Sequence, residues 1–332
     1  MAAIFMLPIF GAISDKTRTR LGKRTPYILF GTLASVTLLV ILGIFNELSS
    51  FWGFIITLFA LLFTMAVYRT PAVAYMPDVT PKPLRSKANA IINLVGYIGG
   101  IFATGLMMFM LKSEKAADGS SLYSKDQSFL PVFLIIAAFM LISVIIMVLT
   151  IKENKLLKET NIKDDDEQIE AGGGKLPRPV FKSLVLILLS VFLWFMAYNA
   201  VTTAFSRYCV AVWKVDLGTS SSYLLAATVA AIAAFIPLGM LSSKVGRKIT
   251  VLIGVAVMTV CYASAIFIRQ ETPIMYAIFA IVGIGWAAIN VNSFPMVVEM
   301  CSGADVGKFT GYYYTFSMFA QIITPIISGN LL

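Results

Sequence analysis

Long apolar runs separated by short polar loops dominate the chain. A helix needs about 20 apolar residues to cross the hydrocarbon core of a bilayer. Nine runs are close to that length: 26–45, 51–68, 88–111, 129–151, 183–206, 220–243, 249–268, 272–298 and 309–332. These runs lack the alternation of apolar and polar residues that is typical of membrane barrel strands. The pattern therefore predicts membrane-spanning α-helices, in which each helix satisfies its own backbone hydrogen bonds.

The opening stretch, residues 1–13, is a tenth apolar run, but it is short. A helix rises 1.5 Å per residue, so this stretch would reach only about 20 Å. We therefore expect it to be the later part of a span.

Composition excludes most soluble classes of protein. Hydrophobic residues make up 58% of the chain and charged residues 13%, whereas soluble domains have about 45–50% and 25%. The net charge is +9, but the basic residues lie in short loops and not on a folded soluble domain, so we expect no nucleic-acid partner. The chain has no histidine, which excludes His-based catalytic triads and zinc sites. We expect a bilayer partner, no enzyme activity, no metal and no cofactor.

The loops alternate in charge, and this alternation predicts the orientation. Twenty of the 26 lysines and arginines lie on one side, which the positive-inside rule identifies as cytoplasmic. The longest loop on this side, residues 152–180, contains KDDDE and GGG, a composition typical of a flexible linker without packing partners. We therefore predict an N-terminal bundle at 1–151 and a C-terminal bundle at 181–332.

One loop pattern occurs twice on the cytoplasmic side, once on each side of the linker. GAISD at 11–15 leads into RLGKR at 20–24, and GMLSS at 239–243 leads into KVGRK at 244–248. Membrane carriers are commonly built from two such related bundles. The positions that carry the pattern are Gly11, Asp15, Arg20, Gly22, Lys23, Arg24, Gly239, Gly246 and Arg247.

The repeated loop resembles the signature of the major facilitator superfamily, where it joins the second and third spans of each half. The resemblance implies an all-α integral membrane carrier of two bundles. About ten family spans, two to eleven, would be present, the first of them partial. Without spans one and twelve, we expect residues 1–332 alone not to accumulate a solute.

A closer resemblance lies in GAISDKTRTRLGKRTPYILFG at 11–31, RTPAVAYMPDVTP at 69–81 and RSKANAIIN at 85–93. These segments resemble the glycoside-pentoside-hexuronide cation symporters, especially their sucrose- and maltose-type branch. The resemblance implies a multi-pass carrier in the cell membrane that transports a sugar, with H⁺ or Na⁺ as the coupling ion.

The first loop has two interpretations. Gly11 allows close helix approach, and Asp15 can accept hydrogen bonds at a helix N-terminus. By resemblance, Asp15 and the basic residues after it latch the cytoplasmic side while the carrier faces outward. Alternatively, the basic residues only set the orientation. The prolines that follow Tyr75 predict a turn in which Asp78 or Thr80 caps the next helix.

Polar side chains inside the spans predict a solute cavity, because each one costs free energy unless it faces the bundle or water. They recur at helical spacing, although such a stripe can also be interhelical hydrogen bonding. The predicted substrate-binding residues are Arg69, Asn93, Tyr97, Trp194, Tyr198, Asn199, Trp286, Asn290, Tyr314 and Gln321. Arg69 either reaches the cytoplasmic interface or binds a sugar hydroxyl or carboxylate in the cavity. The run 129–151 offers only Ser143 and Thr150 and is expected to face lipid.

Three functions remain open at this point. The chain could carry a sucrose- or maltose-like disaccharide, carry another small organic solute, or act as a non-transporting membrane sensor on the same fold. No acid lies within 51–68, so the coupling ion is open, as is the oligomeric state.

Overall fold

The computed structural model describes residues 2–110, 113–115, 121–123, 128–156, 177–215, 217–300 and 305–331. Most of these residues lie in ten α-helices: α1 (Ala2–Lys16), α2 (Thr25–Glu47), α3 (Phe51–Val79), α4 (Arg85–Met110), α5 (Leu130–Thr150), α6 (Arg178–Tyr208), α7 (Leu217–Val245), α8 (Arg247–Ala265), α9 (Ile274–Val298) and α10 (Val306–Leu331). The short elements are a 3-10 turn at Lys82–Leu84, a π-helical turn at Cys209–Trp213, and the antiparallel strands β1 (Ser113–Lys115) and β2 (Ser121–Tyr123).

Eight of these helices, α2 to α9, are long and apolar enough to cross a membrane. Many of their large apolar side chains point away from the protein: Phe59 is 68% exposed, Phe139 60% and Leu149 72%. So much exposed apolar surface is unusual for a soluble monomer, whereas lipid tails solvate it well. Helix α1, with 15 residues, and α10, which carries a polar stripe, complete the bundle.

Helix α3 extends beyond the end that hydropathy predicts. The apolar run ends at residue 68, but the helix continues through Pro71 and Pro77 to Val79. Arg85 donates hydrogen bonds to the carbonyls of Pro77 at 3.0 Å and Thr80 at 3.2 Å, which satisfies acceptors at the helix end. The predicted turn therefore begins later, and Asp78 lies in the last helical turn.

The predicted linker, residues 152–180, is partly folded. Glu153 at its start is 1% exposed, and α6 already begins at Arg178. Residues 157–176 lie outside the described residues. The expectation of a segment without packing partners is therefore wrong for its first residues.

The helices that precede the two copies of the repeated loop each pack on a helix of the other half. Helix α2 packs on α3 and α5, while α9 packs on α7 and α8. Helix α1 precedes the first copy of the repeated loop and packs on α10; α7 precedes the second copy and packs on α4. These two pairs join the first five helices to the last five.

The pairs meet at the end of the bundle where the repeated loops lie, which we call the basic end. Ser86, Asn89 and Ala90 of α4 are buried there. Further along α4, no described heavy atom lies within 4 Å of a Cβ built at any of four glycines: Gly96, Gly99, Gly100 and Gly105. The structure is therefore closed at the basic end, while α4 has no close neighbour among the described residues at these four glycine positions.

Close packing of α9 on α7 depends on Gly283. A Cβ at this position would overlap the backbone carbonyl of Ala227, which no side-chain rotation can relieve. We predict that Gly283→Ala lowers the free energy of unfolding by about 1–3 kcal/mol, measured by thermal unfolding in detergent. The matched control is Gly99→Ala, whose Cβ enters open space and adds helix propensity. Equal melting temperatures for the two variants would contradict this account of the packing.

Candidate functional site

A buried ion cluster at the basic end is built around Arg24, which is 0% exposed. Its guanidinium donates to Asp15 and Ser14 of α1 and, through Nε, to Asp78 of α3 at 2.8 Å. Burial acts to lower the pKa of Arg24, but the attraction of Asp78 and Asp15 outweighs it and raises the pKa. A charged Arg24 thus ties α1 and α3 to the start of α2.

Asp15 extends this cluster to the second half of the chain. Its two carboxylate oxygens accept hydrogen bonds from the backbone N–H groups of Gly307 and Lys308, each at 2.9 Å. These donors lie in the first turn of α10, where helix N–H groups have no intrahelical partner and the helix dipole attracts an anion. Asp15 therefore binds a helix N-terminus in the structure, as its position in the sequence predicts. Its gating role stays a prediction.

The other predicted members of the first loop differ in their contacts. Gly11 lies so close to Gly307 that a Cβ would overlap its carbonyl. Gly22 has a φ of 120°, a conformation that L side chains rarely adopt. Lys23 Nζ donates to Asp78 at 3.0 Å. The side chain of Arg20 is exposed and takes part in no ion pair found among the described residues.

The second copy of the loop makes a similar joint from different chemistry. Gly246 has a φ of 99°, and Gly239 packs against Ala90 and Ser86 of α4. Arg247 crosses to α4 and the 3-10 turn before it: Nε donates to Ser86 of α4 at 2.7 Å, and Nη2 donates to the carbonyl of Lys82 in the turn at 2.6 Å. It also pairs with Glu299. Here an arginine, and not an acid, makes the contact between the halves.

Sequence reasoning did not find several residues of these joints. Asp78 was expected to cap a helix, but it pairs with Lys23 and Arg24. Glu299 pairs with Arg247. An acid lies at the end of α3 and another at the end of α9, and these two acids could have been recognised in the sequence as partners for the basic loops. Ser86 offered no such signal, because a serine in a helix is common and its partner lies 161 residues away.

Aromatic side chains gather in the membrane interior of the second half. The rings of Tyr198 and Trp286 stack with centroids 4.0 Å apart and planes 6° apart. Trp194 packs against the cluster that contains Trp286 and also against the cluster that contains Tyr313. Its indole Nε1 is buried and has no hydrogen-bond partner among the described residues, which leaves a donor in an apolar site.

Tyr97 brings α4 of the first half to the same region. Its ring lies 5.2 Å from that of Phe235 of α7, and it packs on the cluster that holds Ala287 and Val291 of α9. The predicted residues Tyr97, Tyr198 and Trp286 therefore lie along the surface where the two halves meet.

Arg69 lies in the membrane interior and not at the basic end. It precedes the end of α3 by ten residues, about 15 Å of helix. Its guanidinium carbon lies 5.5 Å from the ring centre of Tyr314 on α10, within range of a cation–π contact. Arg69 also lines a cavity of about 540 Å³ between α1, α3 and α10. The cavity interpretation of Arg69 therefore fits the structure better than the interface interpretation.

The predicted amide side chains are less uniform. Asn93 and Asn199 donate to carbonyls of their own helices, Asn89 at 2.9 Å and Phe195 at 2.7 Å. Asn290 is half-buried, and its carbonyl accepts from the Asn89 side chain at 3.1 Å. Gln321 is exposed.

The polar side chains of α10 that recur at helical spacing form a stripe but do not share one environment; they are Tyr314, Ser317, Gln321, Thr324 and Ser328. Ser317 and Thr324, which flank Gln321 in the stripe, are buried and donate to carbonyls of α10 itself. These two hydroxyls need no solute to satisfy them, so the stripe does not act as one polar surface.

Comparison with known proteins agrees with this architecture. A model of the Major Facilitator Superfamily matches residues 1–325. The chain is 36% identical over 98 residues to a lactose permease of Lactobacillus helveticus, an alignment that covers 28% of this chain and 15% of the permease.

Solved structures are similar over nearly the whole chain. FucP, a fucose:proton symporter, in its outward conformation is 14% identical with a TM-score of 0.69, covering 99% of this chain and 81% of FucP. The proton:xylose symporter XylE is 14% identical with a TM-score of 0.61, covering 99% and 78%. At such identity the likeness shows the fold alone.

These matches confirm the predicted all-α, two-bundle membrane fold, while the sucrose- and maltose-type branch stays a prediction. The chain is a multi-pass membrane protein, and since the family match extends over residues 1–325, it belongs to the Major Facilitator Superfamily.

Proposed function

We propose that this protein carries a sugar, a glycoside of the sucrose or maltose kind, across the cell membrane, coupled to H⁺ or Na⁺. The observation that carries the proposal is the stacked pair Tyr198–Trp286 beside the unpartnered Trp194 indole. Aromatic faces cover the apolar side of a pyranose ring, and a buried donor without a partner can bond to a sugar hydroxyl. The named substrates of lactose permease, FucP and XylE support a sugar.

The charge distribution also favours a neutral solute at this pair. In the described helices, acids occur only within two residues of a helix end: Asp15, Glu47 and Asp78. A neutral polyol needs hydrogen-bonding groups but no counter-charge, whereas a cation in the membrane interior would need an acid beside it.

The mechanism that we propose is alternating access. The bundles 1–151 and 181–332, joined by the segment 152–180, would rock about a central site. The basic end would be cytoplasmic, and its ion cluster would hold the outward-facing state. The glycines of α4 without close neighbours would line the opening on the opposite side.

Arg69 favours a second candidate, a small organic anion. It takes part in no ion pair among the described residues, and an unpaired cation inside a membrane is costly. A carboxylate on the solute would pair with the Arg69 guanidinium. The cation–π contact with Tyr314 would hold this guanidinium in position.

Counterflow of labelled solutes in proteoliposomes that contain this chain within a twelve-span carrier tests the function, since residues 1–332 alone are not expected to accumulate a solute. We expect exchange of an α-linked disaccharide, with no requirement for ATP. A uronic acid glycoside forms the second arm, since exchange of the acid without exchange of the neutral sugar would assign the protein to anions. If neither the neutral sugar nor the acid shows counterflow in protein that remains folded, the result would favour a non-transporting sensor.

The sugar site is tested by Asn290→Leu, which removes a half-buried amide near the stacked pair without a large change in volume. An unmet buried polar group costs about 1–3 kcal/mol, so we predict that affinity for the sugar falls roughly tenfold. For Gln321→Leu, which removes the exposed amide of α10, we predict a similar loss of affinity in the same assay.

The matched control is Ser143→Ala on α5. Its hydroxyl is exposed and donates to the carbonyl of Phe139 in its own helix, so affinity should not change. A loss of affinity in Ser143→Ala as large as that in Asn290→Leu would show that these polar groups contribute only to packing.

A further inference from the structure

The N-terminus of α2 is held by a residue from the start of the linker segment. The Glu153 carboxylate accepts hydrogen bonds from the backbone N–H groups of Lys23 at 2.9 Å, Arg24 at 3.0 Å and Thr25 at 2.9 Å. It also accepts one from the Thr25 hydroxyl at 2.7 Å. The groups that donate these hydrogen bonds to the buried Glu153 carboxylate therefore all lie in one short segment, residues 23–25.

Helix α2 needs this outside partner. The first N–H groups of a helix have no intrahelical acceptor, and the residue at the N-cap position of α2, Arg24, makes no side-chain capping bond. An acid at that position also meets the positive end of the helix dipole. Glu153 thus replaces the serine, threonine, asparagine or aspartate that commonly caps a helix from within the chain.

The loop is shaped to admit the carboxylate. A Cβ built at Gly22 would overlap the Glu153 side chain, so the glycine that recurs in both loop copies here makes room for an acid. Asn154 secures the preceding turn by donating to the carbonyls of Arg20 at 2.9 Å and Thr19 at 3.3 Å. Together the two linker residues fix the loop backbone from Thr19 to Thr25.

The same backbone carries the side chains of the ion cluster. Lys23 and Arg24, whose N–H groups bind Glu153, are the residues whose side chains bind Asp78 and Asp15. Since Arg24 must reach both acids at once, its Cα has little freedom. The position of Glu153 therefore determines whether the cluster can close.

We propose that Glu153 is a positioning residue for alternating access: by fixing the start of α2, it keeps Arg24 where it can hold Asp15 against α10. Loss of the carboxylate would open the basic end even though Asp15, Arg24 and Asp78 are all present. This inference rests on the proposed role of the cluster as the cytoplasmic latch.

The test is a distance measurement across the basic end. Spin labels at two exposed positions, Arg18 and Lys244, are placed in a background without the three native cysteines, and their separation is measured by double electron–electron resonance. We predict that Glu153→Gln lowers the ratio of closed to open states about tenfold, because its amide nitrogen faces donors and not acceptors. Glu153→Asp, which keeps the charge, should lower the ratio of closed to open states less than Glu153→Gln does.

Two controls separate positioning from simple capping. Glu47→Gln removes an acid from the opposite end of α2, where it is exposed and accepts from Ser128, and it should leave the distances unchanged. In an Arg24→Leu background, adding Glu153→Gln should change the ratio less than about twofold, since both act through one contact. If Glu153→Gln does not fold, Thr25→Val removes a single donor to the carboxylate and should shift the ratio in the same direction.

Asp15→Asn, measured in the same way, distinguishes a failure of the Glu153 inference from a failure of the latch itself. If Asp15→Asn opens the basic end while Glu153→Gln only lowers the melting temperature, Glu153 is a plain cap and the inference is overturned. If neither variant opens it, the cluster is not a latch, and both the inference and that part of the proposed mechanism are overturned.

Discussion

The closed basic end depends on the buried guanidinium of Arg24. A buried cation loses its hydration, and removing one partner of such a group typically costs about 3–5 kcal/mol. Arg24 therefore requires Asp15 and Asp78 together, and this requirement fixes where α1 and α3 can lie. Asp15 in turn binds the first turn of α10. One buried charge thus fixes contacts between both halves of the chain.

Such a cluster suits a protein that must change conformation. A buried ion pair adds little net stability compared with apolar packing, so it can open without a large loss of free energy if water reaches the separated charges. The second joint, from Arg247 to Ser86 and the carbonyl of Lys82, uses hydrogen bonds to neutral groups. The two joints lie on the same end of the bundle, while the stacked Tyr198–Trp286 pair lies in the membrane interior. Rocking of the halves would therefore move both joints together.

The sequence predicted those parts of the structure that depend on local pattern. Hydropathy located the spans because the bilayer imposes one length on all of them, and the loop repeat identified Asp15 as a residue that meets a helix N-terminus. It did not predict the true end of α3, because the prolines at 71 and 77 and the charge of Arg69 resemble a terminus when their neighbours are unknown. Glu153 lies 129 residues from Arg24 in sequence, within a charged stretch, so no local pattern could predict its burial. Helical spacing also could not distinguish Gln321, which is exposed, from Ser317 and Thr324, whose hydroxyls bond within α10.

Hydrogen–deuterium exchange at the start of α10 tests the central claim most directly. The amides of Gly307 and Lys308 bind Asp15 in the closed state, so their exchange reports whether the basic end is closed. In proteoliposomes without solute we expect both amides to be protected. A transported sugar should raise their exchange rate, as the carrier visits states with an open basic end, while a sugar that is not transported should leave it unchanged. Exchange at these two amides that does not respond to any transported sugar would contradict the account.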